Sequence, residues 1–129
     1  MQNLDQIRAD NALIAAGLKD DPANSYPREK KCNSKAVDKL PALIVNNGLL
    51  AAAAFALKKA SIDSKLVDAM DAVAWHLSDT RISRLSAQHR RTEPMLQHFC
   101  ASQSITLRLA TAEALAFLSY LKRFAKSED

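Results

Sequence analysis

Glycine is scarce in this chain of 129 residues: only Gly17 and Gly48. A glycine-rich loop that cradles phosphates through backbone N–H groups is therefore excluded. Two cysteines, Cys32 and Cys100, are too few for a disulfide framework or an all-thiolate zinc site, and suggest a reducing, cytosolic setting. Aromatic residues make up 5% of the chain, and no sheet motif with stacking aromatics for base recognition is present. Met1–Asp10 lacks a charged-then-apolar leader, and no apolar run reaches transmembrane length, so no membrane role is expected. β-branched runs are few and proline occurs four times.

Alanine and leucine dominate, and apolar residues reach 48%. Such a chain folds rather than staying disordered, and it folds as helix. The expected fold is all-α: a compact bundle of about six helices, with residues 1–129 forming one domain that buries roughly two-thirds of its unfolded surface. Helix 1 is predicted over Asn3 to Lys19, with a stripe of Leu4, Ile7, Ile14 and Leu18 that includes Asn11. The polar connection 20–31, with Pro22 and Pro27, is expected to be free to move. Asn33 or Ser34 caps the next helix. Pro41 kinks or restarts that helix, and Asn46-Asn47-Gly48 stops it. An alanine-rich helix follows over Leu49 to Ala60. Ser61 is predicted to cap a helix over Ile62 to Ser78, with a core stripe of Ile62, Leu66, Met70, Val73 and Leu77. A basic helix is expected over Thr80 to Arg91, and a short segment led by Pro94 reaches Ala101. Ser102 or Ser104 caps a last helix that runs to about Lys126.

That last helix is apolar on two sides. Leu107, Ala110, Ala114, Phe117, Leu118, Leu121 and Phe124 form one face; Ile105, Leu109, Ala112 and Ala116 form another. Such a helix is either central in its domain or shared with a neighbouring subunit.

Net charge is +4. Four arginines and no acid lie between Thr80 and Arg91. On a helix, Arg81, Arg84, Gln88 and Arg91 fall within an arc of about 80°, with Ile82 and Leu85 on the adjacent face. Guanidiniums so arrayed suit phosphate oxygens; the competing reading is a solvated face. Arg108, Lys122 and Lys126 share a side of the last helix, with Arg123 close by, which suits either nucleic acid or the helix dipole. Trp75 is expected to project outward with Ser64, Asp68 and Asp71. It then either meets an arginine face on another copy, head to tail, or is covered by the 20–31 connection or the helix after it.

Catalytic patterns are missing. His76, His89 and His98 follow no metal-ligand spacing, and Glu93 and Glu113 form no legible acid/base pair. No cofactor, metal or enzymatic activity is expected. Any nucleic-acid contact would be backbone-led and indifferent to base sequence.

Three blocks are set in order along the chain. The first is Gln6-Ile7-Arg8-Ala9. The second is Lys39 to Phe55, KLPALIVNNGLLAAAAF. The third is Thr111 to Ala125, which holds Glu113-Ala114-Leu115-Ala116-Phe117-Leu118 and Leu121-Lys122-Arg123-Phe124-Ala125. Together they resemble the small helical fifth protein of the RAMP module, the small subunit of type III-B CRISPR effector complexes. Tyr120 stands where a tryptophan is expected, and the arginines at 81 to 91 lie outside the blocks. The resemblance implies a non-catalytic cytoplasmic subunit of antiviral defence. Its copies would stack on one another and join the backbone and large subunits on CRISPR RNA and target RNA. By that resemblance Arg8, Lys39, Lys122 and Arg123 become candidate RNA-facing or packing positions, beside Arg81, Arg84 and Arg91 as candidates for RNA contact. Asp68, Asp71, Trp75, Leu109, Ala112 and Ala116 are the candidate subunit interface. The alternatives are a helical protein-binding adaptor without RNA, and a small DNA-binding regulator, against which stands the lack of a recognition helix paired with a turn.

Overall fold

The computed structural model describes residues 2–27 and 31–125. Six α-helices run in the order α1 (Leu4–Ala15), α2 (Ser34–Asn47), α3 (Leu49–Lys59), α4 (Lys65–Leu77), α5 (Thr92–Cys100) and α6 (Ser104–Phe124), with a 3-10 turn at Ala87–His89 before α5. No strand occurs among the described residues. The all-α expectation holds.

α4 is the hub and packs against each of the other five helices. From Ala69 to Leu77 every residue is buried. Ala69, Ala72 and Ala74 let neighbouring backbones approach, while Met70, Val73 and Leu77 fill the remaining space. α6 buries Ala110, Ala114, Phe117, Leu118 and Leu121 against the shared core. Its other side stays open: Ile105 is 50% and Leu109 44% exposed, and Ala112 is exposed too. The last helix is thus not central, and its second apolar face has no cover among the described residues.

Local chemistry explains where the helix ends depart from expectation. Asn3 and Gln6 form a reciprocal capping box that starts α1. α1 stops at Ala15, short of Lys19, because Gly17 takes φ +81° and Leu18 N–H turns back to the Leu13 carbonyl. Asn33, not Ser34, caps α2 by accepting from the backbone of Lys35 and Ala36. Pro41 sits inside α2, which continues past it to Asn47. α4 begins at Lys65, where the Asp63 carboxylate accepts the Lys65 N–H; Ser61 and Ile62 lie outside it. Ile62 is 87% exposed and drops out of the expected core stripe. Gln103 holds the N-cap position of α6, rather than Ser102 or Ser104.

The largest correction concerns Thr80 to Arg91, which forms no α-helix. Asp79 accepts from the Arg81 backbone, Ser83 takes φ +56°, and the N–H groups of Arg84 and Leu85 both donate to the Leu77 carbonyl. Side-chain acceptors here offer the backbone a turn that outcompetes the helix. Ile82 and Leu85 are still buried, but by a turn folded over the end of α4.

The connection after α1 is tied down over its described part. The Asp21 carboxylate accepts from the backbone of Ala23, Ser25 and Tyr26 and from the Ser25 hydroxyl. This fold-over places Tyr26 edge-on to Trp75 at 4.8 Å and puts Ser25 Oγ 2.9 Å from the indole N–H. Trp75 is therefore 8% exposed and does not project outward. Residues 28–30 of the connection lie outside the described part.

Gly48 links two helices at φ +91°, ψ 160°, a backbone region that side-chain-bearing residues avoid. A Cβ there would meet no neighbour, so only backbone strain opposes it. Gly48→Ala should therefore destabilise the fold by about 1–3 kcal/mol in urea unfolding. An unchanged midpoint would contradict this account of the α2–α3 junction.

Candidate nucleic-acid interface

Two of the seven candidate RNA contacts are committed inside the chain. Arg8 sets its guanidinium on Glu113, with Nε 2.7 Å from Oε2 and Nη2 2.8 Å from Oε1, and Nη1 reaches Asp5 at 3.2 Å. Arg81 forks onto Asp79 at 3.0 and 2.7 Å and gives its remaining nitrogen to Gln2. The Arg8 side chain is largely buried by its pairing, whereas Arg81, though paired, remains on the surface.

A buried polar chain runs between these two arginines. Asn11 Nδ2 faces the Asp79 carboxylate at 3.0 Å and His76 Nδ1 at 2.9 Å. A carboxylate only accepts, so the atom facing it is the amide nitrogen, and its second N–H reaches His76. His76 Nδ1 is then the acceptor, and Nε2–H donates to Glu113 Oε2 at 3.0 Å. The imidazole, fully buried and stacked 4.3 Å from the Phe117 ring, is neutral. Burial lowers its pKa more than the neighbouring Glu113 raises it. Burial pushes the Glu113 pKa upward, but the hydrogen bonds from Arg8 and His76 prevail and hold it at about 2. Asp79 follows the same logic through Arg81 and Asn11, and also sits at about 2.

The candidate interface residues on α4 are also turned inward. Asp71 is buried and accepts from both the Thr92 backbone and its hydroxyl, at 2.8 and 2.6 Å, holding the start of α5. Trp75 is covered as described, and Asp68 is half-buried on the same helix. The outward acidic face expected of α4 is therefore absent. Leu109 and Ala112 are exposed as expected, with Ala116 half-buried beside them.

The remaining candidates lie on the surface. Arg84 and Arg91 are exposed but lie on a turn and at the N-cap of α5, not on one helical stripe. Lys122 and Arg123 are exposed in the last turn of α6, where cations complement the helix dipole. Lys126 lies outside the described residues.

Lys39 keeps the densest basic company. α2 carries Lys35 and Lys39 one turn apart, α3 brings Lys59, and Lys65 opens α4. With Asn33, Ala36, Asp63 and Leu66 they line one depression. Among the described residues no carboxylate forms an ion pair with Lys35, Lys39 or Lys59. Only Lys39 of this group was singled out from sequence. The missed signal was the i, i+4 pairing of Lys35 with Lys39, which sets two ammonium groups on one helix face. Among the described residues there is also no cluster of three or more His, Cys, Asp or Glu side chains able to hold a metal. None of their helices is long and apolar enough to cross a membrane.

A surface of point charges on a helical scaffold fits many partners, and comparison with known families narrows the choice. The family model described as CRISPR-associated protein (Cas_Cmr5) matches residues 5–128. The chain belongs to this family. It is a small subunit of type III-B CRISPR complexes, as the three sequence blocks implied. No curated protein and no solved structure matches it. Family membership accounts for the helical fold and for partners among the other subunits of an effector complex, and it leaves the contact residues to be reasoned from geometry.

The buried chain dictates an acid sensitivity. Glu113 and Asp79 titrate below their ordinary 4.5 and 3.8, and His76 below 6.5, so the unfolded chain binds more protons throughout the acid range. Stability should be full above about pH 7, begin to fall as His76 of the unfolded chain protonates, and fall steeply from about pH 4.5 towards 2. Arg8→Met should destabilise the fold by about 3 kcal/mol at neutral pH, because it strands a buried carboxylate. Glu113→Gln should flatten the acid slope. Unfolding curves from pH 7 to 3 test both, and an unaltered slope in Glu113→Gln would rule out this carboxylate as the source.

Proposed function

We propose that the chain is a non-catalytic scaffold that stacks in several copies within its effector complex and holds CRISPR RNA and target RNA through phosphate contacts. Antiviral defence in the cytoplasm is the setting in which such a complex acts. The observation that carries the RNA reading is the convergence of Lys35, Lys39 and Lys59, from two helices, on one face, with no ion-paired carboxylate among the described residues. Ammonium groups neutralise phosphate as point charges and read no base, which suits a subunit that must accept any guide sequence. Arg84, Arg91, Lys122 and Arg123 are further exposed cations.

The stacking reading is supported by the second face of α6. Ile105, Leu109 and Ala112 are exposed at helical spacing, and a helix that leaves such residues uncovered gains by burying them against a neighbour. Its affinity adds to that of the RNA contacts, so weak single-copy binding suffices along a stack.

Pull-down of the tagged chain from its native host tests the assignment. Repeat-derived guide RNA with the backbone and large subunits is the expected recovery; proteins without guide RNA would favour the adaptor reading. Lys35→Glu, Lys39→Glu and Lys59→Glu combined should reduce the salt dependence of RNA binding by about two in log–log slope. Leu109→Asp with Ala112→Asp should lower the number of copies per complex, read by native mass spectrometry, while the isolated variant stays folded. Retention of the full copy number would exclude this face as the contact.

A further inference from the structure

Lys39 and Lys59 form a ridge between two depressions. On one side lies the polar hollow with Lys35, Lys65 and Asn33. On the other, Lys39 and Lys59 border a mainly apolar hollow lined by Ala42, Leu43, Asn46 and Phe55, with no acidic residue among the described residues of its lining. The single carboxylate of the polar side, Asp63, is turned to the Lys65 backbone N–H. Phe55 is 46% exposed, so part of its ring is open to solvent beside these lysines. Lys59 lies one helical turn beyond it, with its ammonium 5.9 Å from the ring centre.

We infer that this ridge is a binding site for an unpaired RNA nucleotide, with its base stacked on Phe55 and its flanking phosphates on Lys39 and Lys59. The inference rests on the RNA-scaffold reading above and adds that the strand held here is single. The chemistry separates single strands from duplexes. Within a duplex both faces of each base are already stacked, so an aromatic platform gains nothing; an unpaired base offers a free face. A purely electrostatic duplex surface would need lysines alone and no half-exposed ring between them. A protein partner would use the apolar hollow equally well, but the lysines, which pair with no carboxylate among the described residues, favour a polyanion. Asn46, at the rim, supplies a donor and an acceptor for a base edge or a ribose hydroxyl without demanding one base. The two hollows separated by a cationic ridge thus match the two halves of a nucleotide, planar apolar base and anionic phosphate.

The test uses the full chain at low salt, with a fluorescent unpaired oligouridylate and a fluorescent RNA duplex of equal length, read by anisotropy. Phe55→Ala should weaken binding of the single strand by about tenfold, and Phe55→Tyr, which keeps a stacking ring, should restore it. Duplex affinity should stay level in both variants. Lys39→Gln with Lys59→Gln should weaken the single strand as well. If Phe55→Ala leaves single-strand affinity unchanged while the lysine variant reduces it, stacking is overturned and the scaffold reading survives. If neither variant changes it, or the parent binds neither RNA, both fall. If Phe55→Ala instead lowers recovery of a protein subunit with RNA binding intact, the hollow takes protein and the inference is wrong.

Discussion

A buried carboxylate, Glu113, organises this fold. It lies on α6, the longest helix, in a setting where an ion left alone would cost several kcal/mol. Arg8 from α1 answers it with a two-pronged contact, and His76 from the hub helix α4 donates to the same carboxylate. Three helices distant in sequence are thereby held in one register. Apolar packing alone would let alanine-rich faces slide; a bidentate guanidinium–carboxylate pair does not tolerate a shift of an ångström. The rest follows from His76. Its second nitrogen accepts from Asn11, Asn11 also serves Asp79, and Asp79 bends the chain after α4 and holds Arg81. The turn that replaces the expected basic helix is thus a consequence of the same network.

The internal network also removes positive charges from the set open to a partner. Arg8 and Arg81 carry the fork geometry that best matches a phosphate, yet both forks are spent on carboxylates within the chain. The cations on the outer surface of α2 and α3 are lysines. A lysine can move with its ligand and needs no fixed orientation, so a strand of any sequence can slide across it at little cost. Arg8 and Arg81 give rigidity to the protein, and the lysines of α2 and α3 give that surface tolerance.

The fold was legible from sequence where it rests on local chemistry. Helix periodicity located α2, α3, α5 and α6, and Asn33 and Gly48 acted as expected at their caps. Most of the failures share one physical cause: partners far apart along the chain. Asn11 sat inside an apolar stripe with no sign of its reason, which is His76, sixty-five residues away. Trp75 resembled an outward anchor because its cover, Tyr26 and Ser25, reaches it only after Asp21 folds the connection back. Arg8 was open to either RNA contact or packing, because Glu113, which decides for packing, lies beyond five intervening elements. The arginines at 81 to 91 obeyed helical arithmetic, but Asp79 and the Ser83 backbone redirect the chain before a helix can form. Of the candidate contacts, Lys39 was found and its companions missed, since only the packing of α2 against α3 brings Lys59 beside it.

Membership of a family of complex subunits bears on how the surface can be read. A free-standing protein of this size would gain by covering Phe55, Ile105 and Leu109, and single substitutions to polar residues would suffice to do without them. The chain hides its tryptophan under a dedicated strap yet leaves these residues open. Shielding is therefore available to this fold and is applied selectively. The exposed apolar residues also differ in their surroundings. Phe55 stands among lysines, while Ile105, Leu109 and Ala112 follow one another along a helix with Arg108 between them. An aromatic ring framed by cations suits a polyanion with planar groups, and a continuous aliphatic stripe suits another protein surface. On the reading proposed above, nucleic acid and neighbouring subunits need not compete for the same side chains. A subunit that contacts both at once requires that separation.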